Sequence, residues 1–139
     1  MMPEEPTSIG VLDGLAVVTP PVEIDILHAG GFRAALADAG SGHPVVVVDM
    51  SATVFCDSTG LRLLLQASDR AKARGGELRL VLSSPQMLRI FAVTGFDQLF
   101  PVFATLSGAL AGPGPQAGAA AHERRAAARP AGDRSAAGS

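Results

Sequence analysis

The sequence predicts a single α/β domain built on a mixed, largely parallel sheet. The first observation is the run Val45–Val48, because four β-branched residues without polar alternation are typical of a strand covered on both faces. The second is that strand and helix patterns alternate along the chain on both sides of this run. The third is the length of 139 residues, which suits one domain and a tail. We expect a flexible N-terminus at 1–8, the domain at 9–111 and a disordered tail at 112–139.

The sequence of the first part of the domain predicts a β-hairpin followed by a helix. Strand patterns at Ile9–Leu12 and Leu15–Thr19 flank the turn signal Asp13-Gly14, and Pro20-Pro21 ends the pairing. Asp25 is a plausible N-cap for the helix that follows. This helix is closed by the segment 40–44, and it is indicated by apolar residues at roughly helical spacing, namely Leu27, Phe32, Ala35, Leu36 and Ala39.

The turn Asp57-Ser58-Thr59-Gly60 leads from the valine strand into the strongest helical pattern of the chain. From Ser58 or Thr59 to Arg74 the apolar residues repeat on one face, and Gly75-Gly76 ends the helix. The predicted apolar face comprises Leu61, Leu64, Leu65, Ser68 and Ala71.

The sequence of the last part of the domain predicts a strand, a helix, a short edge strand and a terminal helix. Leu78–Leu82 has a strand pattern, and Ser83-Ser84-Pro85 starts a helix that Gly95 ends. Leu99–Phe103 and Thr105–Leu110 are the edge strand and the last helix. From residue 112 onward, branched apolar residues are too few to offset chain entropy, which predicts the disordered tail. The arginines of that tail are either solvated or a weak contact site for an acidic partner or RNA.

Composition and charge disfavour several classes of function. The net charge is −2, the domain has no basic stripe, and Trp and Tyr are absent, so direct nucleic-acid binding is disfavoured. The single cysteine fits a reducing compartment. The first residues lack the basic and apolar regions of a signal peptide, and no apolar run approaches the ~20 residues of a membrane span. We therefore expect a cytoplasmic protein that does not engage a membrane.

Ser58 is the leading candidate for a functional side chain. It is expected at a helix N-terminus, where free backbone N–H groups and the helix dipole favour negative charge. Spacing alone leaves two interpretations open: Asp57, Ser58 or Thr59 caps the helix, or the Ser58 hydroxyl serves a partner. Three candidate caps in a row exceed the one that a helix needs, and Gly60 permits close approach by another molecule.

Catalysis and metal binding are disfavoured by the motifs. The Asp-Ser-Thr-Gly turn is not the Gly-x-Ser-x-Gly elbow, and no histidine follows it before His122, so a hydrolase triad has no evident base. A Walker-type phosphate loop is also missing. His28 and His43 lack metal-ligand spacing, and Cys56 has no basic neighbour in sequence and is expected in the core. We predict no catalytic residue, no metal and no cofactor.

Four segments, in order along the chain, resemble the motifs of one protein family. Phe55–Leu61 resembles the Asp-Ser-(Ser/Thr)-Gly-Leu signature of the STAS-domain anti-sigma factor antagonists. Val22–Asp25 is similar to the family's Gly-Glu-(Leu/Ile)-Asp, and Arg74–Leu78 to the Gly-Gly that precedes a strand. Ile90–Phe96 with Leu99-Phe100 resembles the family's closing motif. The resemblance spans residues from about 9 to 110.

The resemblance implies a STAS domain with four to five strands, helices mainly on one face, and a role in partner switching. Such proteins bind an anti-sigma factor of the GHKL serine kinase type and thereby free a sigma factor. The kinase phosphorylates the serine after the motif's Asp, which corresponds to Ser58, and a PP2C-type phosphatase restores binding. The partner-binding residues that the resemblance implies are Glu23, Asp25, Asp57, Ser58, Thr59, Gly60, Leu61 and Arg62.

Two residues depart from the family pattern. Val22 stands where glycine is usual, and Arg62 stands where many members have a small residue. Arg62 adds a cation one turn from Ser58, which either pairs with a phosphate, tunes partner choice or is an ordinary solvated charge. An alternative function is a STAS scaffold or ligand-sensing module that phosphorylation does not control.

Overall fold

The computed structural model describes residues 7–112, and its main elements follow the order that the sequence predicts. Residues 1–6 and the predicted tail from residue 113 onward lie outside the described part. Two strands of two residues each and a 3-10 turn at Phe96–Gln98 are additional. The elements are β1 (Ser8–Leu12), β2 (Leu15–Thr19), β3 (Glu23–Ile24), α1 (Ala29–Gly42), β4 (Val45–Met50), β5 (Phe55–Cys56), α2 (Ser58–Ala73), β6 (Glu77–Leu82), α3 (Pro85–Thr94), β7 (Val102–Phe103) and α4 (Leu106–Ala111).

The valine strand β4 lies at the centre of a five-stranded sheet with the order β1-β2-β4-β6-β7. Only β1 and β2 pair antiparallel, and the remaining neighbours are parallel. Val45–Val48 are all buried, as the unbroken apolar run predicts for a strand with both faces covered. The mixed, largely parallel sheet is therefore confirmed.

The two faces of the sheet are covered unequally. On one face, α1, α2 and α3 pack over the larger core, which includes Phe32, Leu64 and Phe91. On the other face, α4 covers a smaller cluster that includes Val47 and Val81. The predicted placement of helices mainly on one face is confirmed.

Several turns depend on local residue chemistry that the sequence displays. The hairpin turn has positive φ at Asp13 (53°) and Gly14 (80°), which suits the twist of antiparallel strands. Gly75 ends α2 with φ 83°, and Gly95 follows α3 with φ 80°. Gly76 has a different reason, because a Cβ at that position would collide with the backbone of Pro44 beside it.

The start of α1 differs from the prediction. Asp25 is not the N-cap, because α1 begins at Ala29 and its N-cap is His28. The Asp25 carboxylate instead accepts the N–H of Leu27 at 3.0 Å, which closes a turn ahead of the helix. Leu27 therefore lies outside the helix, and 76% of it is exposed.

The last strand is also shorter than predicted. It spans Val102–Phe103 instead of Leu99–Phe103, because the 3-10 turn at Phe96–Gln98 and Pro101 occupy the preceding residues. β7 lies at the sheet edge beside β6, as predicted.

Candidate functional site

The short strands β3 and β5 form a separate parallel pair beside the main sheet. Glu23 is opposite Phe55 and Ile24 is opposite Cys56. The pair is extended at both ends, because the Val54 N–H donates to the Val22 carbonyl at 2.8 Å and the Asp57 N–H donates to the Ile24 carbonyl at 3.0 Å. Two of the sequence motifs, far apart in the chain, are thus hydrogen-bonded to each other. Asp25 and Asp57 each follow directly on one of the paired strands, at the same end of the pair.

Asp57 is the residue that caps α2. Its carboxylate accepts the Gly60 N–H at 3.1 Å, and its carbonyl accepts the Leu61 N–H at 3.0 Å. Ser58 is the first helical residue and is exposed. Its hydroxyl makes no hydrogen bond with any residue of 7–112. The cap that spacing left open is therefore assigned to Asp57, and the Ser58 oxygen is accessible from solvent.

Gly60 and Leu61 are the residues of the first turn of α2 that pack against the interior of the protein. Gly60 is buried, and a Cβ there would lie 2.5 Å from Cys56 Sγ and 2.8 Å from Ile24 Cγ2. The interpretation that Gly60 leaves room for another molecule is therefore wrong at this position, since the protein's own side chains fill the space. Leu61 is only 9% exposed and belongs to the larger core. Both residues support the site and present little surface to a partner.

The other predicted site residues reach the surface to different degrees. Glu23 and Arg62 are exposed, whereas Asp25, Asp57 and Thr59 are half-buried. The carboxylate of Asp25 lies 2.8 Å from the Nδ1 atom of His28, so Asp25 contacts the residue that precedes α1. Asp25 and Asp57 thus lie at the end of the β3–β5 pair from which α2 begins, and Arg62 is one helical turn after Ser58.

Sequence reasoning missed a group of exposed apolar side chains in the two segments that lead into α1 and α2. We call it the apolar ridge: it consists of the exposed apolar side chains of residues 22–27 and 54–55, namely Val22, Ile26, Leu27, Val54 and Phe55. Ile26 and Leu27 are 73% and 76% exposed, so the ridge is open to solvent. A signal was present in the sequence, because Ile26-Leu27 is an apolar pair between Asp25 and a glycine pair that weakens helix formation.

Cys56 is a core residue, as predicted. It is buried between β3 and α2, and burial, followed by the negative charge of Asp57, raises the pKa of its thiol from 9.0 to about 12. A thiol in this state is a poor nucleophile at neutral pH. Within residues 7–112, no group of three or more His, Cys, Asp or Glu side chains is placed to hold a metal ion, and no helix has the length and apolar character to span a membrane.

Mutations at residues 57 and 58 distinguish the capping role of Asp57 from the exposed position of Ser58. Asp57→Ala removes the side-chain acceptor for the Gly60 N–H, and we expect it to lower the free energy of unfolding by about 1 kcal/mol. Ser58→Ala removes an unbonded exposed hydroxyl and should change stability by less than about 0.5 kcal/mol. Urea unfolding followed by circular dichroism measures both, with Asp57→Asn as the control that keeps a capping oxygen. A larger loss from Ser58→Ala than from Asp57→Ala would contradict the assignment.

The buried thiol of Cys56 makes stability depend on alkaline pH. Its pKa is raised in the folded state, so the folded protein keeps this proton while the unfolded chain loses it. The stability that the protonated thiol contributes is fully present below about pH 9. Between pH 9 and 12 the free energy of unfolding falls by about 1.4 kcal/mol per pH unit. We expect urea unfolding between pH 8 and 10.5 to give a steeper loss of stability for the wild type than for Cys56→Ala. Equal pH slopes would contradict the burial of an intact thiol.

Comparisons with known proteins agree with this geometry. Residues 7–109 match the family model described as the STAS domain. The anti-sigma-F factor antagonist RsfB of Mycobacterium tuberculosis H37Rv is 30% identical over 101 residues, which cover 72% of this chain and 82% of that protein. The anti-sigma-B factor antagonist of Bacillus subtilis is 30% identical over 89 residues, covering 62% and 79%.

A solved structure has the same fold at similar identity. The crystal structure of an anti-sigma factor antagonist from Mycobacterium paratuberculosis aligns with a TM-score of 0.69 and 31% identity, over 76% of this chain and 90% of that one. The family model, the relatives and this structure therefore agree with the resemblance that the four sequence motifs indicate. The chain belongs to the STAS-domain family of anti-sigma factor antagonists.

Proposed function

We propose that this protein binds an anti-sigma factor of the GHKL serine kinase type, releases a sigma factor by doing so, and is switched off by phosphorylation of Ser58. A PP2C-type phosphatase returns it to the binding state. The observation that carries the proposal is the Ser58 hydroxyl, which is exposed and unbonded while the neighbouring Asp57 caps the helix. A kinase can reach this oxygen without opening the fold.

The apolar ridge supplies a surface for protein binding beside the acceptor. Ile26 and Leu27 are each more than 70% exposed, although apolar side chains of this size are usually buried. Exposed apolar groups rimmed by charged residues are typical of protein–protein interfaces. Here the exposed Glu23 lies on β3 opposite Phe55 of the ridge. Phe55 of the ridge is three residues before Ser58, so we expect a partner that docks on the ridge to reach the modified residue.

Phosphate on Ser58 would change the charge of this surface without unfolding it. The group adds about −1.5 to −2 charges at neutral pH. At the first residue of α2 this charge faces the free N–H groups of the helix, which tolerate it. Asp57 is adjacent in sequence, and Asp25 lies at the same end of the β3–β5 pair, so the phosphate also adds to existing negative charge. We expect a partner packed against this region to be expelled by bulk and by repulsion.

Phosphorylation at Ser58 is tested directly with the kinase. The full-length protein is incubated with the candidate anti-sigma factor and ATP, and the modified residue is mapped by mass spectrometry. We expect one phosphate on Ser58, none in Ser58→Ala, and unchanged labelling in Thr59→Ala, whose hydroxyl is adjacent but half-buried. Phosphate on another residue, or labelling that survives Ser58→Ala, would refute the acceptor assignment.

The same samples separate the proposal from its alternative. A scaffold or ligand-sensing STAS module would bind its partner equally well before and after phosphatase treatment. The proposed switch requires weaker binding of the phosphorylated protein, together with an unchanged circular dichroism spectrum.

The apolar ridge is tested by a charged substitution. Leu27→Asp places a carboxylate on the ridge, and we expect it to weaken binding of the anti-sigma factor at least tenfold because burial of a leucine side chain contributes about 1.5–3 kcal/mol. Val93→Asp on α3 is the matched control, since Val93 is 80% exposed and lies outside the ridge. Isothermal titration calorimetry measures both. Equal losses in the two variants would exclude the ridge as the docking surface.

A further inference from the structure

Arg62 and Ser58 are neighbours on one face of α2. They are four residues apart in a helix that runs from Ser58 to Ala73, which brings their Cβ atoms to about 5–6 Å. Helical side chains lean toward the N-terminus, so the long Arg62 side chain is able to extend over the turn that carries Ser58. Both residues are exposed. The guanidinium group can therefore reach a group attached to the Ser58 oxygen without any backbone movement.

Neither side chain is engaged elsewhere in the described structure. Within residues 7–112, Arg62 forms no ion pair and Ser58 forms no hydrogen bond through its side chain. The residue one turn further along α2 is the neutral Gln66, so no acidic group of the next turn competes for the guanidinium. The other exposed cations of this helix, including Arg70, begin 12 residues after Ser58, or about 18 Å along the axis.

The remaining charges near Ser58 are mostly negative. Asp57 is adjacent, and Asp25 and Glu23 lie on or next to β3. His28 is directed at the Asp25 carboxylate, with 2.8 Å between Nδ1 and Oδ1. A phosphate on Ser58 would therefore meet carboxylates on one side, and Arg62 is the cation of α2 placed to balance it. Guanidinium groups bind phosphate through two parallel hydrogen bonds, which suits this separation.

We infer that Arg62 is the intramolecular partner of the phosphate on Ser58. The inference rests on the proposed function for the modification itself, and it adds how the modified state is held. Phosphorylation then changes two groups of the docking surface at once: it introduces an anion at residue 58 and withdraws the cation at residue 62 from any carboxylate of a docked partner. The charge that Arg62 offers to a docked partner therefore depends on whether Ser58 is phosphorylated.

The pairing is measured on full-length protein with phosphoserine installed at residue 58 during translation. Phosphorus NMR follows the single phosphate across its second ionisation. A nearby guanidinium favours the doubly charged phosphate, so we expect its pKa in the wild type to be lower than in Arg62→Gln by about 0.3. The difference should shrink in 0.5 M salt, because both groups are exposed. Arg62→Lys, which keeps the charge but not the planar fork, should retain part of the effect.

Arg70→Gln is the matched control, since it removes an exposed arginine from the same helix at a distance from Ser58. The inference is overturned if Arg62→Gln leaves the phosphate pKa unchanged, or if Arg70→Gln changes it equally. Circular dichroism confirms that each variant is folded. Because the phosphate is installed during translation, this result does not depend on recognition by a kinase. Failure of the kinase to modify Ser58 would refute the proposed function and leave the measured pairing intact.

Discussion

The functional end of this domain depends on the pairing of β3 with β5. Two residues from each strand form the ladder, and the hydrogen bonds from Val54 to Val22 and from Asp57 to Ile24 extend it. A pair this short is not stable alone, so it relies on the packing of Ile24 and Cys56 against Gly60 at the start of α2. Because any side chain at residue 60 would meet these atoms, the glycine sets the distance between helix and strands. Ser58 begins α2 two residues after the end of β5 and three residues after Phe55 of the ridge.

Asp57 and Ser58, at the start of α2, have separate roles. Asp57 satisfies the Gly60 N–H, and Ser58 is left with an exposed oxygen. If the serine itself were the cap, its modification would remove a stabilising hydrogen bond and couple the switch to partial unfolding. With the cap on the preceding residue, added charge at Ser58 acts mainly on what docks nearby. The buried Cys56 packs against Gly60, and its raised pKa makes the thiol a poor nucleophile at neutral pH.

The errors of the sequence interpretation concentrate on residues whose environment is set by distant segments. Leu27 fits a helical repeat with Phe32 and Leu36, yet it lies in a turn, because the Asp25 carboxylate bonds the Leu27 N–H and delays the helix to Ala29. Gly60 has the flexibility that an approaching molecule would need, but Ile24, 36 positions earlier, occupies that space. Two-residue strands such as β3 carry no periodicity, so their pairing had no pattern from which to be predicted.

The sequence by itself determined the order of the main elements, the buried central strand, the hairpin, the glycine-terminated helices and the motifs that indicate the family. These features follow from local chemistry: β-branching at Val45–Val48, positive φ at Gly14 and Gly75, and the cap-forming residues before α2. Only the tertiary structure decided which of three candidates caps α2, that Ile24 and Cys56 fill the space beside Gly60, and that Ile26 and Leu27 are exposed. Those outcomes depend on contacts between residues far apart in the chain, where burial and steric exclusion, rather than local propensity, select the conformation.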